Sequence, residues 1–375
     1  MIKNTPPMGW NSWNTFGADI NEQLIFDTAD KMVETGLSVL GYEYLVIDDC
    51  WALKERDENG RLVADPQKFP HGMKAVADYV HSKGLKFGMY SCAGYLTCAA
   101  YPGSFEYEFI DAKTFAEWGV DFLKYDYCYH SSVIHGKYLY RRMGLALKNC
   151  GRDILFSACT WGADNTAEWI RETSANMWRS TGDVFDNWET IKSIIEQQEA
   201  ILPYGGAGSF NDMDMLVVGM YGKGNVGLQG LNDTQYKTHF SIWALLGSPL
   251  MIGCDVRNMN KETFDILSNE ELIKINQDAD CRQVFKLSLY SGNNIKAYAR
   301  NLENGDIAVG FFNLTDKKVT VKFLLDELGL PISTGKTLEM HEVWNGETVT
   351  VKNGTLIKNI EAFDSLVYRC RVVDA

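Results

Sequence analysis

The 375-residue sequence is poor in several features that would assign it a class at once. It has no uninterrupted apolar run of the ~18 residues a transmembrane helix needs, and Met1 to Trp13 lack a basic segment followed by an apolar stretch. Neither membrane spanning nor export is signalled, and a cytoplasmic location is the expectation. Positive charge is in the minority, with 36 Lys+Arg against 49 Asp+Glu and a net charge of -13. Such a chain is repelled by nucleic acid and by an anionic membrane surface, whereas a neutral small molecule meets no barrier. The six histidines are scattered; His71, His81 and His239 fall on expected helices, where capping or solvated roles outweigh catalysis. Nine cysteines are an odd number in no metal-like spacing, which argues against a fully paired disulfide framework and against a zinc site. Most are expected to be reduced and buried. There is no glycine-rich phosphate loop, low-complexity run or short-period repeat.

What is present is an alternation of short β-type runs with amphipathic helical patterns up to about residue 283, the signature of parallel βα units. Eight runs can be counted: Met8 to Trp13, Tyr42 to Asp48, Lys86 to Ser91, Asp121 to Asp126, Ile154 to Cys159, Met177 to Ser180, Ser209 to Met215 and Leu250 to Cys254. Helical patterns such as Gln23 to Thr35, His71 to Lys83, Thr234 to Leu246 and Lys261 to Asn276 separate them, which predicts an α/β fold, a closed (β/α)8 TIM barrel, rather than an open sheet. Further on the period changes to two, in runs starting at Ile295, Ile307, Val319 and Ser365, with Asn304-Gly305, Asn345-Gly346 and Asn353-Gly354 as turn residues. The expected domains are a catalytic barrel over 1–286 and a C-terminal antiparallel β-sandwich over 287–375.

Barrel enzymes carry their chemistry at the C-terminal ends of the strands. Here those ends are rich in carboxylates: Asp48-Asp49 after the second run, Asp126 closing the fourth, Asp183 beyond the sixth with Arg179, and Asp212 and Asp214 in the seventh. A single Asp after a strand is more often a cap or turn former, but several strand ends agree. Paired carboxylates with aromatic neighbours suit glycosidic bond hydrolysis, in which one acid serves the leaving oxygen and one nucleophile serves an oxocarbenium-like centre. Lys124 lies two residues before Asp126 on the same face of the strand and should favour its ionised form. Asp183 lies on a loop, where a raised pKa is easier to arrange. Magnesium is the weaker reading of these aspartates, since such sites usually serve phosphates.

At these residues the sequence resembles the family-27 glycoside hydrolases, the α-galactosidases and α-N-acetylgalactosaminidases, over nearly its whole length. The marks are Pro6 to Trp13, Asp48 to Trp51, Lys68 to Lys74, His81 to Gly88, Asp121 to Asp126, Trp178-Arg179 with Asp183, and Asn211 to Leu216. The resemblance implies a retaining exo-glycosidase releasing terminal α-linked galactose, with Asp126 as nucleophile and Asp183 as acid/base. It places Trp13 on the sugar's apolar face, Asp48 and Asp49 on the 4- and 6-hydroxyls, and Lys124 and Arg179 on the 3- and 2-hydroxyl side. Tyr90, Cys98, Cys128 and Asp214 line or support the same pocket. A small carbohydrate substrate is implied, with no cofactor, no metal, no nucleic acid and no membrane; homo-oligomerisation stays open.

Finer expectations come from the same resemblance. Cys98 and Cys128 match a pair that is disulfide-bonded in secreted relatives, so adjacent sulfurs are expected near the pocket, which in a reducing compartment need not be bonded. Thr160 and Ala163 match the positions that face the sugar's 2-substituent, and two small residues there leave space, unless Asp164 or the loop 220–231 fills it. Trp51 and Trp178 are as readily barrel-mouth packing as sugar platforms, and Asn211 and Asp212 are expected to hold the seventh loop. The family commonly has proline where Met213 stands, and the partner of Cys50 is absent. Rival substrates on the same scaffold are α-N-acetylgalactosaminides and β-L-arabinopyranosides. The Asp48-Asp49 pair favours a sugar with a 6-hydroxyl, which arabinose lacks. A sugar-binding protein without catalysis would be expected to lose one of the two catalytic carboxylates.

Overall fold

A computed structural model describes residues 2–288 and 295–375. Eight parallel strands, β1 (Met8–Asn11), β2 (Tyr44–Val46), β3 (Lys86–Cys92), β4 (Phe122–Asp126), β5 (Leu155–Cys159), β6 (Met177–Arg179), β7 (Phe210–Asp212) and β8 (Leu250–Ile252), pair in the order β7-β6-β5-β4-β3-β2-β1-β8. The ring closes just past β7, where Leu216 N donates to Met251 O at 2.8 Å and Gly253 N donates to Leu216 O at 2.9 Å. All eight expected runs carry a strand, and the (β/α)8 barrel is as the alternation predicts.

Side chains two apart on a strand share a face, and this sorts the barrel interior into a floor and a mouth. Tyr44 and Val46 precede Asp48; Phe122 precedes Lys124 and Asp126; Leu155 precedes Ser157 and Cys159; Met177 precedes Arg179; Phe210 precedes Asp212. The apolar members pack into one buried cluster with Met251. The polar members therefore emerge together at the C-terminal ends. Gly88 of β3 makes the floor fit, because a Cβ there would lie 2.6 Å from Val46 Cγ2 and 3.1 Å from Phe122 Cβ.

Helices begin where asparagine side chains accept N–H groups of the first turn, as at Asn21, Asn187, Asn232 and Asn260. The stretch expected as one helix from Lys261 to Asn276 is two, Lys261–Leu267 and Glu270–Asn276. Asn269 interrupts it by capping the second helix, accepting from Leu272 N at 3.0 Å.

The C-terminal part contains β9 (Phe285–Lys286), β10 (Ile295–Asn301), β11 (Ile307–Asn313), β12 (Val319–Leu324), β13 (Lys336–Glu342), β14 (Thr348–Thr350), β15 (Thr355–Ile360) and β16 (Ser365–Asp374). A six-stranded sheet, β14-β13-β16-β11-β10-β9, faces the two-stranded sheet β12-β15 across a core that includes Val309, Phe311, Val321, Phe323, Met340 and Tyr368. Asn304-Gly305 and Asn345-Gly346 turn hairpins, whereas Asn353-Gly354 carries the chain from one sheet to the other. The sandwich packs on the barrel chiefly along the helix Asp233–Leu246: Lys237 pairs with Asp364 at 2.9 Å, Ser241 Oγ accepts from Trp344 Nε1 at 3.0 Å, and a Cβ on Gly310 would meet Leu245. Among the described residues no helix is long and apolar enough to cross a membrane.

Candidate active site

The strand ends surround a cavity of about 380 Å3, within the size range of small-molecule sites. Its lining includes Trp13, Asp48, Asp49, Tyr90, Cys98, Lys124, Asp126, Cys128, Arg179, Asp183 and Asp214. Eleven of the thirteen sequence-predicted site residues thus meet at one place. Trp13 is not the end of β1 but opens the short helix Trp13–Phe16, its backbone N–H donating to Asn11 Oδ1 at 2.9 Å.

On one side the groups are locked together. Asp48 Oδ2 accepts from Lys124 Nζ and from Asn11 Nδ2, each at 2.8 Å. Asp49 accepts from Cys50 N at 2.7 Å and from Ala99 N at 2.9 Å, and Cys50 reaches this turn with φ 72. Asp126 is 6% exposed and accepts from Tyr90 Oη at 3.2 Å and from Tyr127 N at 2.9 Å. Burial lifts its pKa to about 6, against the opposing pull of Lys124. The lysine's hydrogen-bonded ion pair is with Asp48; it pulls Asp126 toward the ionised form as expected, but burial outweighs that pull. Burial also works against the charge on Lys124, but Asp48 and Asp126 hold its pKa above the ordinary value.

On the other side Arg179 joins two carboxylates, donating to Asp183 Oδ1 at 2.9 Å and pairing with Asp214 Oδ1 at 3.0 Å. Asp214, with φ 76, accepts from Val184 N at 2.7 Å, and Asp212 accepts from Asp214 N at 2.9 Å, so Asp212 holds the seventh loop as expected. Burial raises Asp212 to about 7. Asp183 differs, because its side chain is 63% exposed. Burial would raise its pKa, yet the charge and hydrogen bond of Arg179 prevail and hold it below the ordinary carboxylate value. The expected upward shift of Asp183 is thus reversed in the free protein, since the loop that exposes it also leaves it in reach of a guanidinium.

Thr160 and Ala163 are not among the lining residues. Thr160 is fully buried and its hydroxyl meets Thr166 Oγ1 at 2.5 Å, while Ala163 O accepts from Thr166 Oγ1 at 2.5 Å. The β5 end instead presents Trp161, which lines the cavity with φ 58. Gly162 follows with φ 83, where a Cβ would stand 2.4 Å from Ser180 O, so the loop turns tightly against the β6 end. Cys159 lies below, 3.7 Å from Arg179 Nη1. Trp161 was legible as an aromatic two residues past a strand's last inward position, but the expectation settled on Thr160 and Ala163 on either side of it. Phe185 and Asn225 also line the cavity without having been expected.

The remaining expectations resolve into packing. Trp51 is 3% exposed, with Nε1 donating to Tyr90 O at 3.0 Å, and Trp178 is 1% exposed; neither lines the cavity. Met213 is buried and its N–H donates to Ser248 Oγ at 3.0 Å, a bond that proline could not make. His239 is fully buried, accepts from Val217 N at 3.2 Å and is kept neutral by burial, with a pKa of about 3. Cys98 and Cys128 are joined in a disulfide with Cα atoms 5.1 Å apart, and Cys50 is free and buried.

A family model described as Alpha galactosidase A matches residues 5–278, and one described as Alpha galactosidase C-terminal beta sandwich domain matches residues 292–370. The chain belongs to glycoside hydrolase family 27, the α-galactosidase family. It is a glycoside hydrolase. Within family 27 it is 44% identical over 368 residues to an α-galactosidase of Cyamopsis tetragonoloba, covering 98% of this chain and 86% of that one. The α-galactosidase of Saccharomyces cerevisiae solved with raffinose superposes with a TM-score of 0.88 at 30% identity, covering 100% of each chain. A GH27 β-L-arabinopyranosidase from Geobacillus stearothermophilus solved with arabinose gives a TM-score of 0.85 at 25% identity, covering 98% of this chain and 97% of the other.

Proposed function

We propose that the chain is a retaining exo-α-galactosidase acting by double displacement. The observation that carries this reading is the meeting of Asp126 and Asp183, from the ends of β4 and β6, in one closed-ended cavity that also holds the Asp48-Asp49 pair. Asp126 attacks the anomeric carbon, and its leaving partner, the glycosidic oxygen, takes a proton from Asp183, which then activates water. Asp48, Asp49 and Lys124 form a fixed set of acceptors and a donor for the ring hydroxyls, and Trp13 offers a flat apolar face.

The ion pair with Arg179 means that Asp183 starts as a carboxylate. Its acid role requires that a bound glycoside desolvate it and draw it from the guanidinium, so that the proton is taken up with the substrate in place. Trp161 lines the cavity at the β5 end, where Thr160 and Ala163 were expected to leave open space, which supports a preference for a free 2-hydroxyl over an N-acetyl group.

The reading is tested by turnover of p-nitrophenyl α-galactoside, α-N-acetylgalactosaminide and β-L-arabinopyranoside side by side, with the first-formed anomer followed by NMR. Preference for the α-galactoside with α-galactose appearing first is expected. First appearance of the β-anomer overturns the retaining mechanism, and preference for either rival overturns the substrate.

A further inference from the structure

The disulfide at the cavity rim sits beside the proposed nucleophile. Cys98 Sγ, Cys128 Sγ and a carboxylate oxygen of Asp126 all lie within 4.8 Å of one another. Tyr90 ties them together, its hydroxyl meeting Asp126 Oδ2 at 3.2 Å and Cys98 Sγ at 3.3 Å. Cys98 is exposed and Cys128 half-buried, so a reductant from solution can reach the bond.

We infer that Cys98, Cys128 and Asp126 form a site for a thiophilic divalent cation, zinc being the probe, once the Cys98–Cys128 bond is reduced, and that the bound ion blocks the cavity. A dithiol reductant supplies two electrons and two protons; the S–S bond breaks, two thiols form, and the reductant closes into its own disulfide. Zinc then displaces the two thiol protons and binds the carboxylate, giving two soft sulfur ligands, one oxygen ligand and a fourth position open to water. While the disulfide is intact, neither sulfur can become a thiolate and Asp126 alone makes no site. The Tyr90 hydroxyl is placed to orient both kinds of ligand, as outer hydrogen-bond partners do in metal sites. Two thiolates and a carboxylate exceed the charge of the ion by one, and the Lys124 ammonium, which lines the same cavity, offsets part of it. With its lone pair on zinc, Asp126 cannot attack a sugar, so the switch acts on the reaction itself.

The test compares oxidised and dithiol-reduced protein, freed of excess reductant without air and titrated with zinc. About one tightly bound zinc per reduced chain and none per oxidised chain is expected by atomic absorption, and cobalt in the same position should show a thiolate charge-transfer band. Loss of both on Cys98→Ser/Cys128→Ser, or on alkylation of the reduced wild type should that variant not fold, supports the site. Equal zinc in both redox states, or a cobalt complex without the thiolate band, overturns it. In the activity arm, which rests on the proposed function, micromolar zinc should depress α-galactoside turnover by about tenfold or more in the reduced protein alone, with chelator restoring it. Stoichiometric zinc without inhibition overturns the role of Asp126 as ligand. A protein inactive on every galactoside leaves the metal arm to decide, and so separates failure of the site from failure of the function.

Discussion

Opposite arcs of the barrel mouth treat their carboxylates differently. On the β2–β4 arc, Asp48, Asp49 and Asp126 are buried and held by backbone N–H groups, Lys124 and Tyr90. On the β6 arc, Asp183 is 63% exposed and, among the described residues, its carboxylate is paired with Arg179 alone. The first arrangement suits a nucleophile and a set of hydroxyl acceptors whose positions must not drift. The second suits a group that changes its proton twice per turnover and must leave one partner to do so. Enclosure and exposure are thus distributed by strand, in one ring.

The most forceful way to break this comparison is Asp126→Asn, which should lower kcat by ~10³-fold or more while circular dichroism stays unchanged. Near-normal turnover would remove the nucleophile from the β4 end. Asp183→Asn comes next: a loss of about 10²–10⁴-fold is expected for alkyl galactosides and much less for activated aryl galactosides, visible as a steeper dependence of rate on leaving-group pKa. Equal losses for both would mean that Asp183 does not handle the leaving oxygen. Trp161→Ala should raise kcat/KM for the acetylgalactosaminide relative to the galactoside by about tenfold, the scale set by contacts in a specificity pocket. An unchanged ratio would show that the indole is not the wall.

Stability sharpens the same contrast. A carboxyl whose folded pKa is raised binds its proton more tightly in the folded state, so the fold loses stability as pH climbs from about 4 to about 6 and keeps that lower level above. Asp126→Asn should therefore be the more stable protein by about 1–3 kcal/mol at pH 7, with the gain gone below pH ~4, by urea unfolding at both pH values. The exposed Asp183 should give no comparable gain. Smallest is Ser248→Ala, which leaves the Met213 N–H without its partner and should cost about 1 kcal/mol of stability with kcat within about twofold of wild type.

Much of this was legible in the sequence, for identifiable reasons. The barrel could be counted because parallel strands covered on both faces are short continuous apolar runs, and their polar last residues mark the mouth. Strands β13 to β15 escaped because Lys336–Glu342 and Thr355–Ile360 mix charges into an alternation that only tertiary packing completes. The pairing of Lys124 with Asp48 rather than Asp126 could not be read, since Asp126 shares the lysine's strand while Asp48 follows β2, two strands away in the ring, and the sequence gives no distances. The state of Asp183 was missed for the same reason: its neighbour Arg179, four positions earlier, became its partner only through the bend of the β6 loop.

The helix Asp233–Leu246 is buried continuously from Thr238 to Leu245, because one flank meets the barrel and the other the sandwich. A solvent-facing stripe is what normally lets a helix drift in sequence, and over those two turns this one has none. Every change there must suit two neighbours at once. Along this helix the outer surface of the barrel is matched to the sandwich, so losing the sandwich would strip cover from a face of the barrel that is buried in the whole chain.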